Sequence, residues 1–215
     1  MNSSIADIRT DYKKLSLNET EVATDPVDQF RRWWDEAIKS EIEEVNAMTL
    51  ATADPDGTPF ARIVLLKDFD KNGFVFFTNY ESHKGKQLAA NPKACLVFFW
   101  RELERQVRIE GVVTKIAAAE SDAYFQSRPA GSRIGAWASP QSQIIASRET
   151  IEAKVAEMQN RYGSSEIPRP AHWGGYLVKP TAVEFWQGRS NRLHDRIYYM
   201  LDTSGSHWQI SRLAP

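Results

Sequence analysis

Short apolar segments separated by tight-turn residues run through most of this chain, and they limit its possible folds more than any other feature. The first three segments are Met48–Ala53, Pro59–Lys67 and Phe74–Thr78. Asp54-Pro55-Asp56-Gly57 and Asp70-Lys71-Asn72-Gly73 lie between them, and such Asp- and Asn-Gly sequences favour tight reversals between antiparallel strands. This stretch therefore predicts a β-meander.

Six further segments of strand length follow. They are Ala94–Arg101, Arg105–Ile116, Trp173–Val178, Ala182–Gln187, Arg192–Leu201 and Trp208–Leu213. Four helices are predicted: from Asp25-Pro26 along an apolar stripe that reaches Val45, from Ser82 to Ala90, from Ala118 to Gln126, and from Ser147 along the face of Ile151, Val155, Met158 and Tyr162. Residues 131–143 are predicted to form a loop. Strands and helices do not alternate, so the pattern favours an antiparallel barrel with helices packed around it over a doubly wound sheet.

The division of the chain follows from its length and from the polarity of its first residues. A chain of 215 residues is long enough to bury a core without disulfides. Residues 1–24 are polar and weakly patterned, whereas the first helix signal begins at Asp25. We therefore expect a mobile arm over residues 1–24 and a single domain over residues 25–215.

Charge, cysteine content and hydropathy exclude several classes of protein. The 27 Lys and Arg residues are matched by 28 Asp and Glu residues, so we expect no basic surface for nucleic acid. Cys95 is the only cysteine, which excludes an internal disulfide and fits a reducing compartment. No apolar signal segment opens the sequence, and the longest apolar run, Ala94–Trp100, is far shorter than the roughly 20 residues of a membrane-spanning helix. We expect a cytoplasmic protein without membrane contact.

Nucleotide and metal motifs of fixed spacing are absent from the sequence. It contains no GxGxxG turn, no GxxxxGK phosphate loop and no GxSxG nucleophile turn. The spacing of His83, His172, His194 and His207 is not that of metal ligands, so no metal is expected. A phosphorylated ligand would therefore have to be held by side chains.

The segment Arg192-Leu193-His194-Asp195-Arg196 is the clearest candidate for a binding site. Alternate residues of a strand share one face, so Arg192, His194 and Arg196 are predicted to point the same way. Three potential cations on one face favour an anionic ligand, with His194 as a polar contact or proton carrier. The alternative is a solvated strand face with incidental charges.

Two further clusters suggest anion binding, each with a structural alternative. Arg62 and Lys67 flank an apolar run, and in a regular strand they lie on opposite faces. The alternative there is a buried strand with charged ends. Ser82, His83 and Lys84 open a predicted helix, whose free N–H groups suit a phosphate, although an ordinary capped surface helix has the same pattern.

Tyr124, Arg128 and Ser132 form another candidate phosphate site. Tyr124 and Arg128 are four residues apart on a predicted helix, and Ser132 follows in the glycine-containing loop. The alternative is an arginine favoured by the dipole at a helix C-terminus. Gln106 could offer an amide to a heterocycle and Trp186 could line a flat ligand, and the alternative for each is a purely structural role.

Together and in this order, these clusters resemble the pyridoxamine 5'-phosphate oxidase family over nearly the whole chain. The stretches that carry the resemblance are 61–67 (ARIVLLK), 126–139 (QSRPAGSRIGAWAS), 140–142 (PQS), 184–188 (EFWQG) and 192–196 (RLHDR). The resemblance implies an FMN-binding split β-barrel, mainly antiparallel β with helices. It also implies a homodimer with FMN at the subunit interface.

The resemblance assigns roles position by position. FMN would contact Arg62, Ile63, Val64, Leu65, Leu66, Lys67, Phe77, Thr78, His83, Lys84, Gln106, Gln141, Ser142, Trp186 and Arg196. The substrate phosphate would contact Lys67, Tyr124, Arg128 and Ser132, beneath a lid formed by Arg9 and Tyr12. The catalytic positions beside the flavin would be Arg192 and His194. At His83 the family usually has arginine, and histidine is a titratable partner for a phosphate.

The implied activity is the oxidation of pyridoxamine or pyridoxine 5'-phosphate by oxygen to pyridoxal 5'-phosphate, within vitamin B6 metabolism. A hydride would pass from the substrate C4' carbon to flavin N5, and hydrogen peroxide would be released, with ammonia from the amine. Two alternatives stay open. One is a split-barrel flavoenzyme with another substrate, such as a flavin or a phenazine precursor. The other is a non-catalytic carrier of flavin or pyridoxal phosphate.

Overall fold

Nine β-strands form the framework of the computed structural model, which describes residue 5 and residues 11–163 and 165–215. Their bounds are β1 (Ala47–Ala53), β2 (Pro59–Leu65), β3 (Asp68–Asp70), β4 (Gly73–Asn79), β5 (Lys93–Trp100), β6 (Arg105–Lys115), β7 (Trp173–Gln187), β8 (Asp195–Leu201) and β9 (Trp208–Arg212). They hydrogen-bond in the order β2-β1-β5-β6-β7-β4-β3, with β8 beside β7 and β9 beside β8. The pairs β3–β4, β4–β7, β7–β8 and β8–β9 are antiparallel.

Five α-helices accompany these strands in the described ranges: α1 (Pro26–Lys39), α2 (His83–Ala90), α3 (Ala118–Ser127), α4 (Ala130–Ala138) and α5 (Arg148–Tyr162). Capping side chains set the starts of the first two. The Asp25 carboxylate accepts from the amides of Val27 and Asp28, and the Ser82 hydroxyl accepts from the amide of Gly85. Both predicted helix starts are therefore confirmed.

The described chain divides into two compact units. The first comprises the described part of Met1–Thr49 together with Cys95–Gly111 and Pro180–Pro215. Its core is aromatic: Phe30 lies 5.1 Å from Phe98, and Trp33 meets Phe185 edge-on at 5.2 Å, between ring centroids. Helix α1 contributes these rings from its buried face and ends at Lys39, although its apolar stripe predicts a longer helix. The backbone is left-handed at Glu41 (φ 53°), which a helix cannot contain.

The second unit comprises Leu50–Ala94 and Val112–Lys179. One of its clusters consists of buried apolar residues from α3, α4, α5 and the start of β7: Phe125, Ile134, Ala138, Met158, Ile167 and Trp173. Val155 and Tyr162 of α5 pack against this cluster. The predicted apolar face of α5 is thus confirmed, except that Ile151 is not part of the cluster.

Helix α4 corrects the prediction of a loop over residues 131–143. Gly131 and Gly135 weaken the helical signal, since glycine disfavours helices by about 1 kcal/mol relative to alanine. However, Ile134 and Ala138 are one turn apart and both are buried in the cluster of the second unit. This burial outweighs the local propensity, and it places Ser132 inside a helix and not in a loop.

Strand β7 replaces two predicted strands with one of 15 residues. Pro180 interrupts the sequence pattern, because proline cannot donate a ladder hydrogen bond. In the structure β4 pairs with residues 173–178 and β8 with residues 182–187, so Pro180 lies between the two pairings. The proline therefore disturbs neither of them.

Strand β8 begins at Asp195, three residues later than predicted. A 3-10 turn, Ser190–Arg192, precedes it, and Asn191 and Arg192 have left-handed φ of 57° and 62°. Arg192 and His194 are therefore outside the strand, and the predicted alternation of Arg192, His194 and Arg196 on one strand face is wrong. Strand β2 likewise ends before Lys67, which invalidates the argument that Arg62 and Lys67 lie on opposite faces of one strand.

Residues 11–24 contain neither helix nor strand, and hydrogen bonds attach them to the first unit. The amides of Lys13 and Lys14 donate to a Glu104 carboxylate oxygen at 2.9 and 3.0 Å, and the Leu17 amide donates to Asp195 Oδ2 at 3.1 Å. The mobility of the arm and the single domain over residues 25–215 stay predictions. In the described ranges no helix is both long enough and apolar enough to cross a bilayer.

Candidate active site

A cavity of about 820 Å³ lies entirely within the second unit. Strand β2, the residues that follow it, β4, α2, α3 and α4 all contribute to its wall. Twelve of the predicted site residues line it: Arg62, Ile63, Val64, Leu65, Lys67, Phe77, Thr78, Lys84, Tyr124, Arg128, Ser132 and Gln141. The volume is within the range of sites for small molecules and cofactors, about 300–1,000 Å³.

The other predicted site residues are elsewhere. Leu66, His83 and Ser142 belong to the second unit but do not line this cavity. The first unit carries Tyr12, Gln106, Trp186, Arg192, His194 and Arg196. Arg9 is outside the described residues. The roles assigned to all of these positions stay predictions.

Positive charge dominates the cavity wall. Arg62, Lys67, Lys84 and Arg128 line it, and no Asp or Glu is among the described residues of the wall. Within the described chain, none of the four is ion-paired with a carboxylate. Burial and the nearby charge of Arg62 both lower the pKa of Lys84, and burial lowers the pKa of Arg62. An anion bound here would relieve this uncompensated charge.

At one side of the cavity the cations are fixed by neutral groups. Arg62 donates to the Leu50 carbonyl at 3.2 Å, to the Thr52 hydroxyl, and to Gln87 Oε1 at 3.0 Å. Lys84 Nζ donates to Gln141 Oε1 at 3.3 Å. The Arg62 and Lys84 charges act on one another, so these two side chains form one anion-binding candidate.

A second cationic position is built around Arg128 at the end of α3. Its guanidinium lies 4.6 Å from the centroid of the Trp173 ring, and its buried Nη1 has no hydrogen-bond partner in the part of the chain that the structure describes. Tyr124 stacks on Phe77 with ring centroids 3.9 Å apart. A buried donor without a partner is costly, which fits a ligand oxygen at this place. Together, a flat aromatic wall and two separate cationic positions suit phosphorylated aromatic ligands, and FMN is one of these.

Trp173 is the cavity residue that the sequence reasoning most clearly missed, along with Asn79, Pro129, Gly135, Ala136 and Ser139. Its ring lies nearly parallel to the rings of Phe77 and Tyr124, at 5.4 and 6.2 Å. The signal available in the sequence was a tryptophan followed by Gly174 and Gly175, which marks a crowded strand start. A Cβ on Gly174 would lie 2.1 Å from the Tyr80 hydroxyl.

In the first unit, His194 packs against two aromatic rings. Its imidazole centroid lies 4.6 Å from that of Trp186 and 6.1 Å from that of Tyr12. The backbone amide of Arg189 donates to His194 Nδ1 at 3.1 Å. Since Nδ1 accepts this hydrogen bond, the neutral ring carries its proton on Nε2 and can donate from there.

We expect the pKa of His194 in the folded protein to lie below the usual 6.5, because partial burial and the charge of Arg192 both disfavour the imidazolium. With a lowered pKa, the His194 ring stays neutral down to a lower pH than the ring of an ordinary histidine does. Titration of the ring by NMR measures this. A midpoint at or above 6.5 would contradict the expectation.

Arg196 is anchored by a buried carboxylate that the sequence reasoning did not consider. Its Nε donates to Glu184 Oε1 at 2.7 Å and its Nη1 to the Ala214 carbonyl at 2.7 Å. Glu184 is 2% exposed and also lies 3.0 Å from the Arg108 guanidinium. A carboxylate in the apolar strand 182–187 was the available signal, because buried acids need partners. Gln106 is partly buried in β6.

No group of three or more potential metal-ligating side chains occurs among the residues that the structure describes.

Comparison with known proteins identifies relatives over the full length of the chain. The profile of the family "Pyridoxamine 5'-phosphate oxidase" matches residues 34–162, and that of the "Pyridoxine 5'-phosphate oxidase C-terminal dimerisation region" matches residues 173–215. A pyridoxine/pyridoxamine 5'-phosphate oxidase of Trichormus variabilis is 59% identical over 100% of both chains. One of Ralstonia pickettii is 61% identical over 99% of this chain and 100% of its own.

Solved structures share the fold. PhzG from Burkholderia lata, in complex with tetrahydrophenazine-1-carboxylic acid, has a TM-score of 0.88 and 30% identity, covering 94% of this chain and 99% of its own. A pyridoxamine 5'-phosphate oxidase-related, FMN-binding protein from Nostoc punctiforme has a TM-score of 0.69 and 19% identity, covering 94% and 100%. The predicted fold class, a split β-barrel of mainly antiparallel strands with helices, is thereby confirmed. By the two family matches and by identity near 60% over its whole length, the chain belongs to the pyridoxamine 5'-phosphate oxidase family.

Proposed function

We propose that this protein oxidises pyridoxamine or pyridoxine 5'-phosphate with oxygen to pyridoxal 5'-phosphate, using FMN. The observation that carries the proposal is the cavity, which has two separate cationic positions and whose described lining residues include no carboxylate. Cofactor and substrate each carry a phosphate, so two such positions are what this pair of ligands needs. Relatives about 60% identical over their full length carry the name of this oxidase.

FMN, when bound, supplies the capacity to accept a hydride from the substrate and to pass the electrons on to oxygen. We assign its phosphate to Arg62 and Lys84, because both line the cavity, each is held by a neutral side chain, and neither is ion-paired among the described residues. The amide of Gln141 and the hydroxyl of Thr78, 3.4 Å apart, would line the same side.

We assign the substrate phosphate to Arg128, Tyr124 and Ser132, with Lys67 nearby on the same cavity wall. A phosphate oxygen would meet the buried Arg128 Nη1 that otherwise lacks a partner. Fixing the substrate at its phosphate orients the rest of the molecule, which is the main contribution of a protein to cofactor chemistry.

Arg192 and His194 would hold the pyridine ring beside the flavin, with His194 donating from Nε2. Trp186, Gln106 and Arg196 would contact the flavin, with Arg196 held in place by its pairing with Glu184. The chain carries the dimerisation region of the family at residues 173–215. We propose a homodimer with FMN at the interface, an Arg9–Tyr12 lid, and a cytoplasmic location, which the single Cys95 suits.

A rival substrate class is represented by PhzG, whose structure holds a phenazine-type acid. That relative is 30% identical, half the identity of the oxidases. The Tyr124–Arg128–Ser132 cluster favours a phosphorylated substrate over a phenazine precursor, because its cation and hydroxyls match phosphate oxygens.

The test is a spectrum followed by an oxygen-uptake assay. The purified protein should show flavin absorption bands that bleach when pyridoxamine 5'-phosphate is added without oxygen. Readmitted oxygen should be consumed and hydrogen peroxide formed. Flavin bands that do not bleach with this substrate would point to a carrier or to another substrate, and would overturn the proposal.

A further inference from the structure

We propose that Gln87 and Thr52 are positioning residues that hold the Arg62 guanidinium in the cavity while leaving its charge free for an anion. The inference rests on the proposed function only in naming the FMN phosphate as that anion. Neither residue lines the cavity, and neither is among the positions that the family resemblance assigns.

Three side chains form a closed set of hydrogen bonds. Arg62 donates through Nη1 to the Thr52 hydroxyl and through Nη2 to Gln87 Oε1 at 3.0 Å. The Thr52 hydroxyl in turn donates to the same Gln87 oxygen at 2.7 Å. Thr52 is 4% exposed and Gln87 2%, so water competes little for these bonds.

The Gln87 amide has one orientation that satisfies its neighbours. Its oxygen must face Arg62 and Thr52, because both offer it a proton. Its NH₂ group then faces the His83 ring, where Nε2 lies 3.3 Å away and accepts. His83 lies one helical turn before Gln87 on α2, so its ring helps to hold the Gln87 amide in this orientation. His83 itself does not line the cavity.

The side chains that hydrogen-bond to Arg62 are neutral, whereas Arg196 is held by a carboxylate. The Arg196 guanidinium is paired with the buried carboxylate of Glu184 at 2.7 Å. A carboxylate in place of the Gln87 amide would give Arg62 a permanent partner. The amide and hydroxyl fix the direction of the guanidinium and leave its charge for a ligand.

Substitutions that keep shape and change only these bonds test the inference. In Gln87→Glu a carboxylate competes with the phosphate for Arg62, and in Thr52→Val the hydroxyl is lost at similar volume. We expect each variant apoprotein to bind FMN about tenfold or more weakly, measured by quenching of flavin fluorescence. Riboflavin, which has the ring but no phosphate, should bind within about twofold of the wild type. Thr52→Ser should restore FMN affinity.

Gln126→Glu is the matched control. Gln126 Oε1 accepts from Arg133 at 2.6 Å, so this variant also sets a carboxylate against an arginine of the second unit, but neither residue lines the cavity. Its FMN and riboflavin affinities should equal those of the wild type. Thermal unfolding of each apoprotein shows whether a variant is folded. If Gln87→Glu fails to fold, the inference is tested by the loss of FMN affinity in Thr52→Val and its recovery in Thr52→Ser.

The inference is overturned if FMN and riboflavin affinities fall together, which indicates a packing role, or if neither changes. The proposed function fails on a different measurement, namely the absence of oxygen uptake by the wild type with pyridoxamine 5'-phosphate. In that case the FMN and riboflavin affinities still test the positioning role of Gln87 and Thr52, because their measurement uses no substrate.

Discussion

Replacing Arg192 with leucine should lower kcat/KM for pyridoxamine 5'-phosphate about 100-fold and leave FMN affinity unchanged. Arg192 is exposed at the end of a 3-10 turn and has no ion pair with a described carboxylate. Its charge acts on His194, whose pKa it helps to lower. A guanidinium with this freedom is available to the substrate, and losing one charge-assisted contact costs about 1.5–3 kcal/mol.

The control for Arg192→Leu is Arg189→Leu. The Arg189 side chain donates to the Leu15 carbonyl at 3.2 Å and lies 3.7 Å from the Asp195 carboxylate, while the contact to His194 comes from the backbone amide, which the substitution retains. Steady-state kinetics and an FMN titration of both variants separate turnover from cofactor binding. A normal kcat/KM in Arg192→Leu, or a parallel loss of FMN, would contradict the assignment.

Arg192→Leu should also raise the pKa of His194. Removing the Arg192 cation removes one of the two causes that lower the His194 pKa, so that pKa should rise toward the usual value. A rise detected by NMR would show that the two side chains remain close in solution, independently of any activity.

Local signals predicted much of the fold because the physics behind them is local. Asp25-Pro26 and Ser82 set helix starts through hydrogen bonds within one turn, and the predicted turns at residues 54–57 and 70–73 lie between β1 and β2 and between β3 and β4. The predicted β-meander is wrong, because β2 is followed in the sheet by β1, whereas β4 pairs with β3 and β7. The prediction of secondary structure failed where contacts between residues far apart in the sequence determine the local conformation. Burial of Ile134 and Ala138 makes α4 helical despite its glycines, and the change of pairing partner makes Pro180 harmless within β7.

The same distinction applies to the candidate site. Most of the cavity wall could be named from the family resemblance, because its residues stand in continuous, recognisable stretches such as 61–67. Its supports could not be named: Thr52 precedes Arg62 by ten residues and Gln87 follows it by 25. An isolated threonine and an isolated glutamine carry no pattern, and only the fold brings their oxygens to the guanidinium.

The position of Lys67 in the cavity depends on where strand β2 ends. In a strand continued to residue 67, Arg62 and Lys67 would point to opposite faces. The strand β2 ends at Leu65, and the Lys67 amide donates to the Val75 carbonyl instead. Both cations therefore line one cavity, at the place where two phosphates are proposed.

Replacing Arg128 with alanine should raise KM for pyridoxamine 5'-phosphate by roughly 10- to 150-fold, which corresponds to about 1.5–3 kcal/mol for a hydrogen bond to a charged group. The buried Nη1 has no hydrogen-bond partner among the described residues, so a hydrogen bond to a ligand oxygen replaces no existing bond within them. Burial also lowers the pKa of Arg128, because it disfavours the charged guanidinium, and a bound anion would offset that cost.

Unphosphorylated pyridoxamine makes this prediction specific. If Arg128 binds the substrate phosphate, Arg128→Ala and the wild type should handle pyridoxamine alike, and the preference for the phosphorylated form should collapse in the variant. Arg161→Ala is the control, since that guanidinium lies 5.9 Å from the Trp137 ring and does not line the cavity. Arg128→Lys should give an intermediate KM, because lysine keeps the charge and loses the planar fork. An unchanged KM in Arg128→Ala would remove Arg128 from the phosphate site and leave its buried Nη1 without an explanation.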